Sequence, residues 1–149
     1  MIAKRLVLLF TLIMIGLAPA LRADNSCAAT TMNGAYGFSG NGLDIVVHKS
    51  GSQTGNQALA PVAFVGTLAF AGDGMVSGSF TATGNGHRES GVPFKGAYVV
   101  NADCTGSIAV VENNGAESHF AVTITDSGNE ILAIQTDPGA ARTFVIRKQ

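Results

Sequence analysis

From Asn33 onward apolar and polar residues alternate in short runs, each closed by a turn rich in glycine, asparagine or aspartate. A period of two marks strands with one buried and one wet face, and no stretch keeps a helical period. The predicted strands begin with 34–40, carrying Tyr36 and Phe38 on one face, and 43–48, carrying Leu43, Ile45 and Val47 opposite Asp44, Val46 and His48. Next comes 61–70, with Phe64, Gly66, Leu68 and Phe70 on one side, followed by 75–83, 94–100, 105–111, 117–125, 130–136 and 142–147. Asn41-Gly42 reads as a tight turn or bulge, and Gly72-Asp73-Gly74, Asn113-Asn114-Gly115 and Asp137-Pro138-Gly139 as reversals. Two segments lack the alternation: 49–57 reads as a flexible loop, and 84–91 as a second polar connection with room for a few paired residues. The fold class expected is all-β, about eight antiparallel strands in an up-and-down meander closing into a small barrel, with a β-sandwich as the alternative. Closure removes unpaired edges, and Gly66 and Gly78 inside strands fit close approach or sharp coiling.

The N-terminus changes the picture. Met1 to Arg5 carries two positive charges, an apolar segment follows to Leu17, and small residues lead to Ala20 and Ala23. This is the order of a secretory signal peptide, 1–23, cut after Ala20 or Ala23. The apolar segment falls short of the roughly 20 residues of a bilayer crossing. The expected mature chain is one β-barrel domain, 24–149, with no transmembrane segment, exported to the periplasm or the exterior. The full sequence has nine basic and ten acidic residues; a cut after Ala23 removes Lys4, Arg5 and Arg22, leaving six against ten, a net charge of −4. No basic stripe remains to neutralise phosphates, which argues against a nucleic-acid partner. Cys27 and Cys104 lie in the exported portion, where two cysteines most simply pair. Two free thiols, or half of a metal site, are the alternatives, though there is no Cys-x-x-Cys and no histidine near either cysteine. An outer-membrane barrel is disfavoured by short predicted strands, the absence of tryptophan and only two tyrosines for interfacial girdles.

The stretch Tyr98-Val99-Val100-Asn101-Ala102-Asp103-Cys104-Thr105-Gly106 carries a resemblance. With Gly34-Ala35-Tyr36-Gly37-Phe38-Ser39-Gly40 upstream and Gln135-Thr136-Asp137-Pro138-Gly139 downstream, the chain resembles small secreted bacterial proteins of uncharacterised function. These pair an early cysteine with the same asparagine-alanine-aspartate-cysteine-threonine-glycine hairpin, and the resemblance implies no catalytic residues. More loosely, the meander is similar to lipocalin-like and allene-oxide-cyclase-like barrels, a likeness of architecture only.

Candidate chemistry is sparse. His48, His87 and His119 fall in three different segments and read as solvated surface residues, so no metal site and no cofactor is expected. Glu112, Glu117, Glu130 and Asp126 lie near strand ends, where a shared rim would permit acid–base work but solubility suffices to explain them. No Gly-x-Ser-x-Gly occurs. The aromatic series is the strongest constellation, because an eight-stranded barrel is either just filled by side chains or holds one small ligand. Phe38, Phe64, Phe80, Tyr98 and Phe120 are the candidate ligand-binding residues, and Gly66, Gly78, Gly96 and Ala82 at inward positions argue for internal space. The expected function is that of an exported, non-catalytic barrel binding a small apolar molecule or a surface partner. A cyclase or isomerase working in the interior, and a structural or antigenic envelope protein, are the alternatives.

Overall fold

Eight antiparallel strands follow one another in chain order around a closed barrel, and the last pairs with the first. The computed structural model describes residues 26–47 and 57–149. The expected signal peptide lies outside the described residues, as do His48 and all of the 49–57 loop except Gln57. The strands are β1 (Asn33–Val47), β2 (Gln57–Ala71), β3 (Met75–Gly84), β4 (His87–Val100), β5 (Thr105–Glu112), β6 (Glu117–Thr125), β7 (Glu130–Gln135) and β8 (Ala140–Lys148).

Two sequence-based boundaries need correction. Asn41-Gly42 does not reverse the chain: β1 runs straight through it, with Asn41 opposite Ala63 on one side and Thr143 on the other. Gly42 is small because the Ala141 carbonyl of β8 crosses where a side chain would be, so the residue serves close approach and not a turn. Continuity fixes parity. Tyr36, Phe38, Gly40, Gly42, Asp44 and Val46 all face inward, while Leu43 and Ile45 are 40% and 45% exposed on the outer face. The 84–91 connection shrinks to Asn85-Gly86, whose φ values of 48° and 76° suit the two-residue turn that matches hairpin twist.

The strands are also longer than predicted, up to 15 residues in β1 and β2, so their length does not argue against a membrane barrel. The lumen holds the aromatic residues and the core, and Leu43, Ile45, Leu59, Val65, Leu132 and Ile134 are exposed on the outer face.

That core is built from phenylalanines set opposite glycines. Phe38 faces Gly66 across β1 and β2, Gly66 faces Phe80 across β2 and β3, and Gly78 faces Phe94 across β3 and β4. Gly40 is flanked by Phe64 and Phe144. A Cβ on Gly66 would lie 2.7 Å from the Phe38 ring, and one on Gly78 would lie 2.7 Å from Phe94. The inward glycines therefore do not themselves supply empty space, contrary to the expectation from sequence: a phenyl ring covers Gly40, Gly66 and Gly78, and backbone of the adjoining strand covers Gly96.

One end of the barrel is sealed. Residues 26–32, including a single 3-10 turn (Ala29–Thr31), cross it, and Met32 is fully buried. Cys27 and Cys104 form a disulfide, and the Cys27 amide donates to the Ala102 carbonyl. Tyr98 donates its hydroxyl to the carbonyls of Ala29 and Met32 at 3.0 and 2.9 Å, and the Tyr36 hydroxyl donates to Gly128 at 2.8 Å. Burial raises the Tyr36 pKa, keeping the phenol a donor. The 101–104 hairpin turn is held by Asp103, which accepts from the Thr105 amide and hydroxyl and is thereby kept below the usual carboxylate range.

The substitution Gly66→Ala is expected to lower stability by about 1–3 kcal/mol, because its Cβ would meet the Ser79 carbonyl of β3 as well as the Phe38 ring, read as the midpoint of urea unfolding. Gly86→Ala, with nothing within 4 Å of its Cβ, costs only the strain of a positive φ, about 1 kcal/mol.

Candidate functional site

Among the described residues one end is plugged and the interior opens at the other, where β1 ends, β2 begins, and the β3–β4, β5–β6 and β7–β8 turns gather. Alternation along each strand brings six phenylalanines, Phe38, Phe64, Phe80, Phe94, Phe120 and Phe144, to the level below this mouth. Their rings meet mostly edge to face, with centroids 5.4 Å apart for Phe64–Phe144 and Phe120–Phe144 and 5.9 Å for Phe64–Phe80. They surround a cavity of about 80 Å³, floored by Leu68, Val76, Ile108 and Ile146. A wider recess of about 230 Å³ lies at the mouth and shares Phe64, Phe80, Glu112 and Arg142 with the cavity. The interior is thus packed at the sealed end and hollow towards the open one.

Polar residues ring the mouth. Arg142 on β8 grips Asp44 on β1 through Nε and Nη2, each 2.6 Å from a carboxylate oxygen. Its Nη1 donates to Gln135 Oε1 at 3.2 Å, and its guanidinium carbon stands 4.9 Å from the centre of the Phe64 ring. Gln135 Nε2 in turn donates to Asp137 Oδ2 at 2.9 Å. Asp137 accepts from the His119 amide at 2.8 Å, and its other oxygen meets His119 Nδ1 at 2.8 Å. These donors, the His119 amide first, hold the Asp137 carboxyl down to about 2. Glu112 and Ser118 complete the inner lining.

Four of the five aromatic residues singled out from sequence, Phe38, Phe64, Phe80 and Phe120, line the cavity. Tyr98 does not; it sits deeper, its ring centroid 5.0 Å from that of Phe70 and its hydroxyl spent on the N-terminal plug. Phe94 and Phe144 take its place. Asp44, Gln135 and Arg142 were missed, although parity announces them: Arg142 is in step with Phe144 and Ile146, Gln135 with Ile131 and Ala133, and Asp44 with Tyr36 and Phe38 once β1 is read as one strand. The acidic residues do not share a rim, since Glu112 and Glu117 stand at the open end while Asp126 and Glu130 stand at the sealed one, where Glu130 pairs with Arg147 at 2.8 Å. His87 is exposed at the start of β4, and His119 is on the outer face, bound to Asp137. Among the described residues no three histidine, cysteine, aspartate or glutamate side chains converge.

No protein-family model and no curated protein matches the chain. Among solved structures, it is similar to a de novo designed fluorescence-activating β-barrel, at 13% identity and a TM-score of 0.53, covering 81% of this chain and 96% of that one. A redesigned β-barrel is similar at 14% identity and a TM-score of 0.53, covering 82% and 95%. At such identity these define a class of architecture, the small closed antiparallel barrel. Neither the 101–106 hairpin resemblance nor the lipocalin-like one is matched.

Asp44 and Arg142 are about a quarter exposed, so Asp44→Ala is expected to cost about 1–3 kcal/mol, short of the figure for a fully buried pair. The double variant Asp44→Ala/Arg142→Met should recover most of that loss in chemical denaturation. Asp137 stabilises the fold at any pH above its ordinary value of 3.8, and its contribution is lost as the carboxyl protonates from there down through about 2. Over that window the unfolding midpoint of Asp137→Asn should fall less steeply than that of the parent.

Proposed function

We propose that this is an exported, non-catalytic β-barrel that carries one small, largely apolar molecule in its open end. The carrying observation is the aromatic cavity beneath a polar mouth, the arrangement by which small-molecule sites combine apolar burial with a few orienting polar groups. The cavity is about half the size of the roughly 150 Å³ apolar cavity known to take benzene. A short chain or the edge of a ring therefore enters among the phenylalanines, and the rest of the molecule stands in the adjoining recess of about 230 Å³ at the mouth. The likeness to a barrel designed to activate fluorescence is one of architecture and is consistent with the reading. The signal-like N-terminus and the disulfide support export, since such bonds persist in oxidising compartments.

The test is binding of ethylbenzene to the mature chain, followed by methyl and aromatic NMR shifts. Shifts are expected at Leu68, Ile108 and Ile146 on the cavity floor. In Ala133→Leu, whose side chain grows into the cavity, binding should drop at least tenfold while the circular dichroism stays that of the parent. Shifts confined to outer-face residues such as Leu59 and Val65 would overturn the reading.

A further inference from the structure

The charge at the mouth is uneven. Among the described residues Asp44, Glu89 and Glu112 supply three carboxylates to the recess, against the Arg142 guanidinium and the His87 imidazole. Arg142 is already committed: two of its nitrogens are forked onto Asp44 and the third reaches Gln135, so an incoming anion would have to displace a bidentate partner. Glu112 is in the opposite condition. It closes β5 on the inward side, half-buried, and lines both the cavity and the recess. Its one side-chain hydrogen bond is from Asn114 Nδ2 to Oε2 at 3.2 Å, and no cationic nitrogen of the described residues comes within 4.0 Å of it. Below it stand Phe80, Phe94 and Phe120, rings whose faces are electron-rich. A free carboxylate above aromatic walls is the chemistry that recognises an organic cation.

We infer that the cavity selects amphiphiles with a cationic head, a primary or methylated ammonium joined to a one-ring or short apolar tail, with Glu112 as the counter-ion. This rests on the ligand-carrying role proposed above and adds the sign of the ligand's charge. The tail occupies the phenylalanine cup, and the ammonium donates to the unengaged carboxylate oxygen of Glu112 at the mouth. Arg142 is kept from the ligand by Asp44 and serves as part of the wall.

The discriminating experiment is calorimetric titration of the mature protein with three probes of one skeleton: 2-phenylethylamine (cation at pH 7), 2-phenylethanol (neutral) and phenylacetate (anion). The amine is expected to bind about tenfold more tightly than phenylacetate, the difference shrinking as salt is raised, with the alcohol between them. In Glu112→Gln the amine should fall to the affinity of the alcohol, while the alcohol binds as before, which separates loss of charge from loss of fold. If alcohol and amine bind equally to the parent, or phenylacetate binds best, the assignment of Glu112 is overturned and the apolar-carrier reading stands. If none of the three binds, the carrier reading itself is overturned.

Discussion

A phenyl ring cannot lie flat against a neighbouring strand unless that strand carries no side chain at the contact, and this barrel is arranged around that exclusion. Phe38 over Gly66, Phe94 over Gly78 and Phe144 over Gly40 place large residues and vacant positions in alternate register around the sheet. The strands coil tightly where the glycines stand, which lets eight of them close, and the rings that cover the glycines become the wall of the interior. Packing and curvature are therefore the same fact. A larger residue at any of these glycines would push a ring, and the ring would push the closure.

The two ends then divide the labour. At the sealed end the N-terminal segment is tied by the disulfide and by the Tyr98 hydroxyl, the Tyr36 hydroxyl holds Gly128, and Met32, Tyr36, Phe70 and Ile131 are fully buried. At the open end the same inward positions carry Asp44, Glu112 and Arg142, which line the recess, and Gln135, which is buried and bonded to Arg142. The chain spends its covalent link and its buried hydrogen bonds on the end that has no chemistry. What it leaves at the other is a hollow with a ring of charge.

Much of the architecture was legible in the alternation, because a period of two survives the loss of every tertiary detail. The barrel, its strand order and the Cys27–Cys104 link follow from pattern, turns and cysteine count. One glycine misled. Asn41-Gly42 has the composition of a hairpin turn, and only the neighbouring strand, whose Ala141 carbonyl crosses Gly42, shows that the glycine answers to crowding. Splitting β1 there hid the parity that puts Asp44 inside, and with it the partner of Arg142. Tyr98 was placed in the site by parity alone, since depth along the barrel axis is a three-dimensional quantity that alternation does not report. Glu112 could be seen at a strand end, but that no cationic side chain of the described residues pairs with it depends on which residues the other strands bring to the mouth.

The Asp44–Arg142 fork joins β1 to β8, the strands that meet where the barrel closes on itself. It belongs at once to the rim of the cavity and to the seam of the sheet, the pairing that spans the longest sequence separation in the fold. A molecule resting against Phe64 and Arg142 thus presses on the latch of the closure. A molecule bound there would favour the closed barrel over the unfolded chain, in which neither the cavity nor the latch exists.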